Sequence, residues 1–326
     1  MRDGQAPLVL TNIVCTHKML SKFVRLNYLN RIKKGGSRMH AYPQKVNSKK
    51  RRQGSLVGMV LFTLIFLVSN AFAERIYSIH SRSVAVIDGS TGEILYAKNP
   101  EYLSPPASTA KLMTAIVTVE RANLSDIVTI SPKASHVHAS KVDLKKGNKI
   151  TIEALLYAAL LKSANNAAVA LAEAVAGTED AFVVLMNQKT TSIGANNTEF
   201  TNATGLPGPG QHTTALDLTK IMRYSLTFPK IREILGTPAA EISTEEGKIM
   251  FLRNTDELLR SDGELIGGKT GFTGSARHCF VCAAERDKKM IIACLLGSPS
   301  RKNLWQETQN LLNKGFQRMG ESQPGF

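Results

Sequence analysis

PPASTAKLMTA, residues 105–115, is the stretch that decides the fold of this 326-residue chain. The two prolines end any preceding strand, and the apolar spacing that follows predicts a helix over Ser108–Ala122. Residues three apart on a helix share a face, so the side chains of Ser108 and Lys111 can meet. A serine hydroxyl becomes a useful nucleophile when a nearby base removes its proton. The stretch therefore predicts a serine nucleophile at the start of a helix.

Two further short motifs follow in order, Ser163-Ala164-Asn165 and Lys269-Thr270-Gly271. Each pattern occurs once in the chain, as does Ser108-x-x-Lys111. One such motif alone is weak, but the ordered set S-x-x-K, S-x-N and K-T-G is the one used by penicillin-binding proteins and serine β-lactamases. The set predicts acyl transfer through Ser108.

Each motif residue suits a step of that chemistry. Lys111 can act as the base if burial and a second cation, Lys269, lower its pKa. Ser163 can pass a proton between Lys111 and the leaving amine, and Asn165 can offer its side-chain amide to the substrate backbone.

The third motif suits binding of the substrate. Lys269 and Thr270 can bind a terminal carboxylate through charge and a hydroxyl donor, and Gly271 lets a substrate backbone lie against the strand edge. The backbone N–H groups of Ser108 and Phe272 can form an oxyanion hole.

The elements around the motifs predict an α+β fold. A hairpin near the start and a pair of strands near the end can share one antiparallel sheet, with a helical lobe inserted between them. The predicted strands are Ser83–Ile87, Glu93–Lys98, His278–Ala284 and Met290–Leu296, with Lys269 opening another; the predicted helices besides the first are Ile152–Leu161, Ala167–Val175, Ala181–Ile193, Thr214–Ser225 and Leu304–Phe316.

Residues 78–318 resemble the catalytic domain of the low-molecular-mass penicillin-binding proteins, the serine-type D-Ala-D-Ala carboxypeptidases. Beyond the three motifs, the likeness extends to the segments around Thr204–Leu206, Gln211–Leu218 and Asn254–Leu259. The resemblance implies a DD-peptidase/β-lactamase-like fold, with a five-stranded antiparallel sheet flanked by helices plus an all-helical lobe. It also implies peptidoglycan stem peptides as substrates, β-lactam antibiotics as inhibitors and no cofactor.

Two positions depart from the family pattern. Many members have an aspartate after the S-x-N motif, where this chain has Asn166. Many also carry a carboxylate-binding arginine where this chain has Leu304, and Arg301 and Lys302 are the nearby basic alternatives.

The positive charge is concentrated in a leader, residues 1–73, which carries +12 of the formal net charge of +15. The body of the chain is nearly balanced, so nucleic-acid binding is not needed to explain the total. A basic run, the apolar segment Leu56–Val68 and Ala71-Phe72-Ala73 form a secretory signal with cleavage expected after Ala73. Residues 74–326 would then be the extracytoplasmic or periplasmic catalytic domain. An uncleaved membrane anchor is the alternative for the leader, and Met39 and Met59 are alternative starts.

The cysteines and histidines that could bind a metal ion are predicted to have structural or surface roles instead. Cys279 and Cys282 lie in an apolar strand-like run, which predicts buried cysteines rather than a haem or zinc site. His136 and His138 form an H-x-H in a polar stretch typical of a solvated surface. No metal is expected, and, with Phe326 as the last residue, the family's C-terminal membrane anchor is not expected either.

The sequence thus predicts a serine D-Ala-D-Ala carboxypeptidase that forms an acyl-Ser108 intermediate. Three alternatives remain. A DD-endopeptidase would use the same machinery on crosslinks. A β-lactamase would need a deacylating glutamate, and no E-x-x-L-N segment occurs between Asn166 and Gly268. A catalytically idle peptidoglycan-binding relative would not require an activated nucleophile.

Overall fold

A five-stranded antiparallel sheet lies at the centre of the computed structural model, which describes residues 78–321. The strands of the described chain are β1 Ser83–Asp88, β2 Ile94–Lys98, β3 Ile127–Thr129, β4 Lys149–Thr151, β5 Ala239–Ser243, β6 Ile249–Arg253, β7 Leu265–Thr273, β8 Arg277–Arg286 and β9 Lys289–Ser298. The order across the central sheet is β2-β1-β9-β8-β7, so strands from both ends of the domain are neighbours and β7 is an edge strand. β3 pairs with β4, and β5 with β6, as separate two-stranded sheets.

Helices cover both faces of the central sheet. They are α1 Lys111–Arg121, α2 Pro132–Ser135, α3 Ile152–Leu161, α4 Asn165–Ala176, α5 Glu179–Ser192, α6 Ala215–Ser225, α7 Pro229–Leu235 and α8 Arg301–Glu321. Side chains alternate between the faces along each strand. On β8, for example, Val281 packs in the core shared with the helical lobe, and Phe280 packs on the opposite face with Leu311 of α8. The α+β architecture, the five-stranded sheet and the helical lobe are confirmed.

Several element boundaries differ from the sequence prediction. The helix predicted over Ser108–Ala122 is divided into a 3₁₀ turn at Ala107–Ala110 and α1. Lys269 does not open its strand but lies in the middle of β7. The prediction also missed α7 and the β5–β6 hairpin, and α8 is longer than expected at both ends.

The cysteine prediction is confirmed. Cys279, Cys282 and Cys294 are buried and unpaired on the central strands. Burial raises the pKa of all three thiols, to about 11 for Cys279, so they stay protonated and unreactive.

The leader predicted at residues 1–73 lies outside the described residues. Between residues 78 and 321, no helix is both long and apolar enough to cross a membrane.

Candidate active site

The predicted nucleophile occupies a tight turn just before α1. Ala107, the residue before Ser108, has a φ of +48°, in the left-handed region. Thr109 fixes the turn by donating both its backbone N–H and its hydroxyl to the carbonyl of Pro106, at 3.3 and 2.6 Å. Ser108 is therefore presented by a constrained turn rather than by the first turn of the α-helix.

Lys111 has three hydrogen-bond partners, and their chemistry differs. Its Nζ lies 2.6 Å from the carbonyl oxygen of Thr204, 2.7 Å from Oδ1 of Asn165 and 3.1 Å from Oγ of Ser108. The first two oxygens can only accept, whereas the Ser108 hydroxyl can also donate. A neutral amine has two hydrogens for the two acceptors, so its lone pair faces the Ser108 hydroxyl. This geometry suits the expected roles of Lys111 as base and Ser108 as nucleophile.

The surroundings of Lys111 favour this neutral form. The side chain is fully buried. Burial, and then the nearby charges of Lys269 and Lys141, hold the pKa of Lys111 well below its usual range. The expected effect of Lys269 on Lys111 is therefore present, although burial is the larger cause.

Lys269 is also fully buried and donates to Oγ of Ser163 at 3.0 Å and to the carbonyl of Thr270 at 3.0 Å. Burial, with the charge of Lys141, lowers the pKa of Lys269 to about 7, against the opposing effect of Asp256. Ser163, at a φ of +62°, thus has Lys269 as its partner where the sequence had suggested Lys111.

Asn165, the last residue of the second motif, binds the segment that faces it. Asn165 accepts from Lys111 through Oδ1, while its amide nitrogen donates to the carbonyls of His138 and Ala139 at 2.9 and 3.4 Å. Both ends of the Asn165 amide are therefore engaged within the protein. A substrate contact at Asn165 would have to replace one of these bonds.

Gly271 allows β7 to lie against the nucleophile turn. A Cβ at this position would stand 3.0 Å from Cβ of Ala107 and 3.1 Å from the backbone nitrogen of Ser108. Gly205 approaches even more closely, since its Cβ would lie 1.7 Å from the Ala107 carbonyl oxygen. The turn is therefore enclosed by two glycines, and this gives Gly271 a structural reason beside the expected substrate contact.

A cavity of about 420 Å³ connects the predicted residues. It is lined by Ser108, Ala139, Lys141, Ser163, Thr255, Thr270, Gly271, Phe272, His278, Cys279, Arg301, Leu304 and Trp305. The Thr270 hydroxyl donates to that of Thr255 at 2.7 Å, and the ring of Phe272 stacks on His278 with centroids 4.5 Å apart. Lys111, Asn165 and Lys269 lie behind this surface, fully or almost fully buried.

The two basic residues near Leu304 differ in their position relative to the cavity. Arg301, one helical turn before Leu304 on α8, lines the cavity, whereas Lys302 does not. A guanidinium nitrogen of Arg301 lies 3.1 Å from Glu257 and 3.4 Å from the carbonyl oxygen of Thr255.

A second cavity, of about 580 Å³, lies away from the motifs beside α6. Its cations are engaged by the protein itself: Arg223 donates to the carbonyls of Gly89 and Ser90, and Lys220 to Asp217 and the carbonyl of Gly194. Among the described residues that line it, no pair is arranged like Ser108 and Lys111.

Sequence reasoning gave no role to four contributors to the site, the Thr204 carbonyl and the side chains of Lys141, Thr255 and His278, although Thr204 and Thr255 lie in segments that the family resemblance included. A backbone carbonyl carries no sequence signal, and Lys141 lies outside every motif. His136 and His138 are exposed, and within residues 78–321 no group of three or more metal-ligating side chains is placed to hold a metal ion.

Comparisons with known proteins agree with the geometry. The sequence model of the D-alanyl-D-alanine carboxypeptidase family matches residues 69–300. The chain is 30% identical to the D-alanyl-D-alanine carboxypeptidase DacF of Bacillus subtilis, with 80% of this chain and 69% of the relative covered. It is 33% identical to the D-alanyl-D-alanine endopeptidase of Escherichia coli, covering 77% and 89%. A mutant of a Streptomyces DD-transpeptidase superposes with a TM-score of 0.71 at 32% identity, covering 74% of this chain and 99% of the other.

Proposed function

Since this chain belongs to the D-alanyl-D-alanine carboxypeptidase family of serine peptidases, we propose that it releases the terminal D-alanine of peptidoglycan stem peptides through an acyl intermediate on Ser108. The observation that carries the assignment is the contact between Nζ of Lys111 and Oγ of Ser108, with the other two Lys111 bonds directed at obligate acceptors.

Acylation follows from this arrangement. Lys111 takes the proton of Ser108 as Oγ attacks the penultimate D-Ala carbonyl. The backbone N–H groups of Ser108 and Phe272 stabilise the oxyanion. Ser163, which accepts a hydrogen bond from Lys269, then gives its proton to the leaving amine. Lys111 returns the proton of Ser108 to Ser163, and this transfer requires the Ser163 hydroxyl to move toward Lys111 when substrate is bound. In the second half, Lys111 takes a proton from the water that attacks the ester and gives it to Oγ of Ser108 as the ester bond breaks.

The carboxylate of the leaving D-alanine binds at the Thr270 end of the cavity. Lys269 is enclosed and does not line the cavity, so it acts on the carboxylate through its charge and through its contacts to Ser163 and Thr270. Direct hydrogen bonds to the carboxylate come from the Thr270 hydroxyl and from Arg301. Arg301 replaces the family's arginine, because Leu304 at that position has no donor.

The place of action follows from the substrate, because peptidoglycan is assembled outside the cytoplasmic membrane. Residues 1–73 would then direct export, with cleavage after Ala73 or with the leader kept as an anchor. N-terminal sequencing of the exported protein distinguishes these, since cleavage gives a chain that begins at Glu74.

A DD-endopeptidase is the second candidate, because a relative with that name matches most of the chain. The same nucleophile, base and oxyanion hole would cut a crosslink. The two activities differ only in the leaving group, which is D-alanine in one case and a whole acceptor stem in the other.

The test is incubation of the mature protein with an uncrosslinked pentapeptide and with a crosslinked dimer, with the products read by mass spectrometry. We expect release of D-alanine from the pentapeptide. Ser108→Ala is the control and is expected to lose both this activity and covalent labelling by a fluorescent penicillin. Labelling of the Ser108→Ala protein at the wild-type level would contradict the assignment of the nucleophile.

A further inference from the structure

Arg301 needs support from its neighbours to point into the cavity that it lines. It is the first residue of α8, and about half of its side chain is exposed. A long, exposed arginine loses rotamer entropy when it is held in one direction, and the positive N-terminal end of its own helix repels its charge. Contacts from other parts of the chain must therefore offset these costs.

Glu257, in the segment between β6 and β7, makes the main contact. Its Oε1 lies 3.1 Å from Nη2 of Arg301, and its Oε2 accepts from the indole N–H of Trp305 at 2.7 Å. The two partners are four residues apart on α8, so they share one face of that helix. The guanidinium of Arg301 also lies 6.0 Å from the centre of the Trp305 ring. Each carboxylate oxygen of Glu257 thus binds a different residue of the same helix face.

The Trp305 end of this arrangement is fixed by the central sheet. The Trp305 ring meets the ring of Phe280 edge to face, with centroids 5.0 Å apart, and Phe280 is fully buried on β8. A surface ion pair between two mobile side chains has little effect, because both must be ordered. Glu257 is different, since its second hydrogen bond ties it to a ring that is packed against the sheet.

The same short segment also holds the Thr270 hydroxyl. Oγ1 of Thr255 accepts from Thr270 at 2.7 Å, and the carbonyl oxygen of Thr255 lies 3.4 Å from Nη2 of Arg301. The segment is itself anchored, because the backbone N–H of Thr255 donates to the carbonyl of Leu161 at 3.0 Å. Residues 255–257 therefore contact both groups that the proposed function assigns to the terminal carboxylate.

These contacts leave Arg301 with donors for an anion. Within residues 78–321, Nη2 is the only guanidinium nitrogen of Arg301 that has a hydrogen bond or an ion pair. A guanidinium carries five N–H donors, so those on Nε and Nη1 remain. Among the described residues, Arg301 lines the cavity and Glu257 does not. The carboxylate of Glu257 thus binds the guanidinium from outside the cavity.

We propose that Glu257 is a positioning residue, which holds Arg301 toward the cavity so that the guanidinium binds the terminal carboxylate of the substrate. Glu257 acts through Arg301 and does not itself touch the substrate. The inference rests on the proposed function, because it concerns the carboxylate-binding end of the same site.

The experiment is a double-mutant cycle on kcat/KM for release of D-alanine from the pentapeptide. Arg301→Met is expected to lower kcat/KM by at least about tenfold, since it removes a charge-assisted hydrogen bond. Glu257→Gln, which removes the ion pair, is expected to lower it by at least about threefold. The double variant is expected to lie within about twofold of Arg301→Met, because Glu257 has no effect once its partner is absent.

Glu285→Gln is the matched control. It breaks a similarly exposed pair, in which Glu285 lies 2.8 Å from Arg232, outside the cavity. Its kcat/KM is expected to equal that of wild type. All rates are divided by the fraction of each protein that a fluorescent penicillin labels at saturation, so that misfolded protein does not contribute to the comparison.

Three results would overturn the inference. The first is a loss smaller than threefold, or a rise, in Glu257→Gln; a rise would mean that Glu257 competes with the substrate for Arg301. The second is a further loss of more than about twofold when Glu257→Gln is added to Arg301→Met, because Glu257 would then act by another route. The third is a smaller loss in Arg301→Met than in Glu257→Gln.

Each of these results would leave the proposed function standing, provided that the wild-type protein releases D-alanine. A wild-type protein that releases none would contradict the proposed function itself, and the inference would fall with it.

Discussion

Lys111 and Lys269 show how position gives one residue type two roles. Both are fully buried, and burial is the main cause of the lowered pKa of each. Lys111 has two obligate acceptors and faces the nucleophile, which suits a base. Lys269 instead holds the hydroxyl of Ser163 and the carbonyl of Thr270, and its pKa is lowered to about 7, so much of it stays an ammonium near neutral pH. Lys269 is therefore better placed to supply positive charge.

Asp256 is a buried carboxyl next to the site residue Thr255. Its Oδ1 accepts from the backbone N–H of Leu258 at 3.0 Å, whereas its Oδ2 is buried and has no hydrogen-bond partner within residues 78–321. Burial raises the pKa of this carboxyl from 3.8 to about 7, against the backbone hydrogen bonds and the charge of Lys269. Unfolding exposes the carboxyl and returns its pKa to the ordinary value.

The sign of the effect on stability follows. Between pH about 4 and pH about 7, the unfolded chain loses the Asp256 proton while the folded chain keeps it. This contribution to the free energy of unfolding is therefore complete below pH 4 and lost as the pH rises to 7. Asp256→Asn keeps an acceptor for Leu258 and cannot ionise. We expect its melting temperature relative to wild type to be higher at pH 8 than at pH 4, by at least about 2 °C.

Differential scanning calorimetry at both pH values gives the measurement. Asp287→Asn, in the exposed turn between β8 and β9, is the matched control and should show no such pH-dependent difference. If the melting temperature of Asp256→Asn differs from that of wild type by the same amount at both pH values, the Asp256 carboxyl does not titrate as described.

The site residues that could be predicted from the sequence are those that lie close together in the chain or belong to a known motif. Ser108 and Lys111 are three residues apart, so their contact follows from helical spacing. The contacts of Lys111 with Thr204, and of the cavity with Lys141, join residues far apart in the chain. Only tertiary packing creates such contacts, so no sequence pattern contained them.

At the scale of elements, the decisive contact is between the edge strand β7 and the 3₁₀ turn that carries Ser108. The approach depends on the missing side chain at Gly271, where a Cβ would stand 3.0 Å from Cβ of Ala107. An added methyl group would have to move the turn by a few tenths of an ångström. Because β7 is held by its pairing with β8, the displacement falls on Ser108.

Gly271→Ala is therefore expected to slow acylation of Ser108 by at least about tenfold, since small misplacements of a nucleophile have large effects on rate. The second-order rate constant for labelling by a fluorescent penicillin measures this. Gly274→Ala, in the β7–β8 turn, is the matched control, because no heavy atom lies within 4 Å of its added Cβ. Gly271→Ala labelling within about twofold of wild type would contradict this account of the turn.

The elements that were predicted have strong patterns, and those that were missed have weak ones. β8 and β9 are long apolar runs because both faces of the sheet are covered. The β5–β6 hairpin buries only alternate residues and exposes Ile249 and Phe251, so its apolar residues do not reveal which face is inside. α7 has seven residues, about two helical turns, which is too short for a clear period.

At the scale of the whole molecule, the site forms where the edge of the sheet meets the helical lobe. Ser108 precedes α1, Ser163 lies between α3 and α4, and Lys269 lies on β7, so three distant parts of the chain contribute. The order of the motifs allowed this junction to be predicted from the family resemblance. Lys269 and Arg301 were named from the sequence as cations of the site, whereas Lys141 was not, because it comes from a segment that carries no motif.

The groups that line this cavity distinguish a peptidase from a β-lactamase. A class A lactamase frees its acyl-serine quickly because a glutamate activates the deacylating water. In the part of the chain that the structure describes, cations, hydroxyls and aromatic rings line the cavity and no carboxylate does. No E-x-x-L-N segment lies between Asn166 and Gly268. Penicillin is therefore expected to acylate Ser108 and to leave slowly, so that it inhibits the protein. Stopped-flow acylation followed by mass spectrometry of the adduct measures its lifetime. An adduct lost in well under a second, with many penicillins hydrolysed per protein molecule, would place the chain among the lactamases.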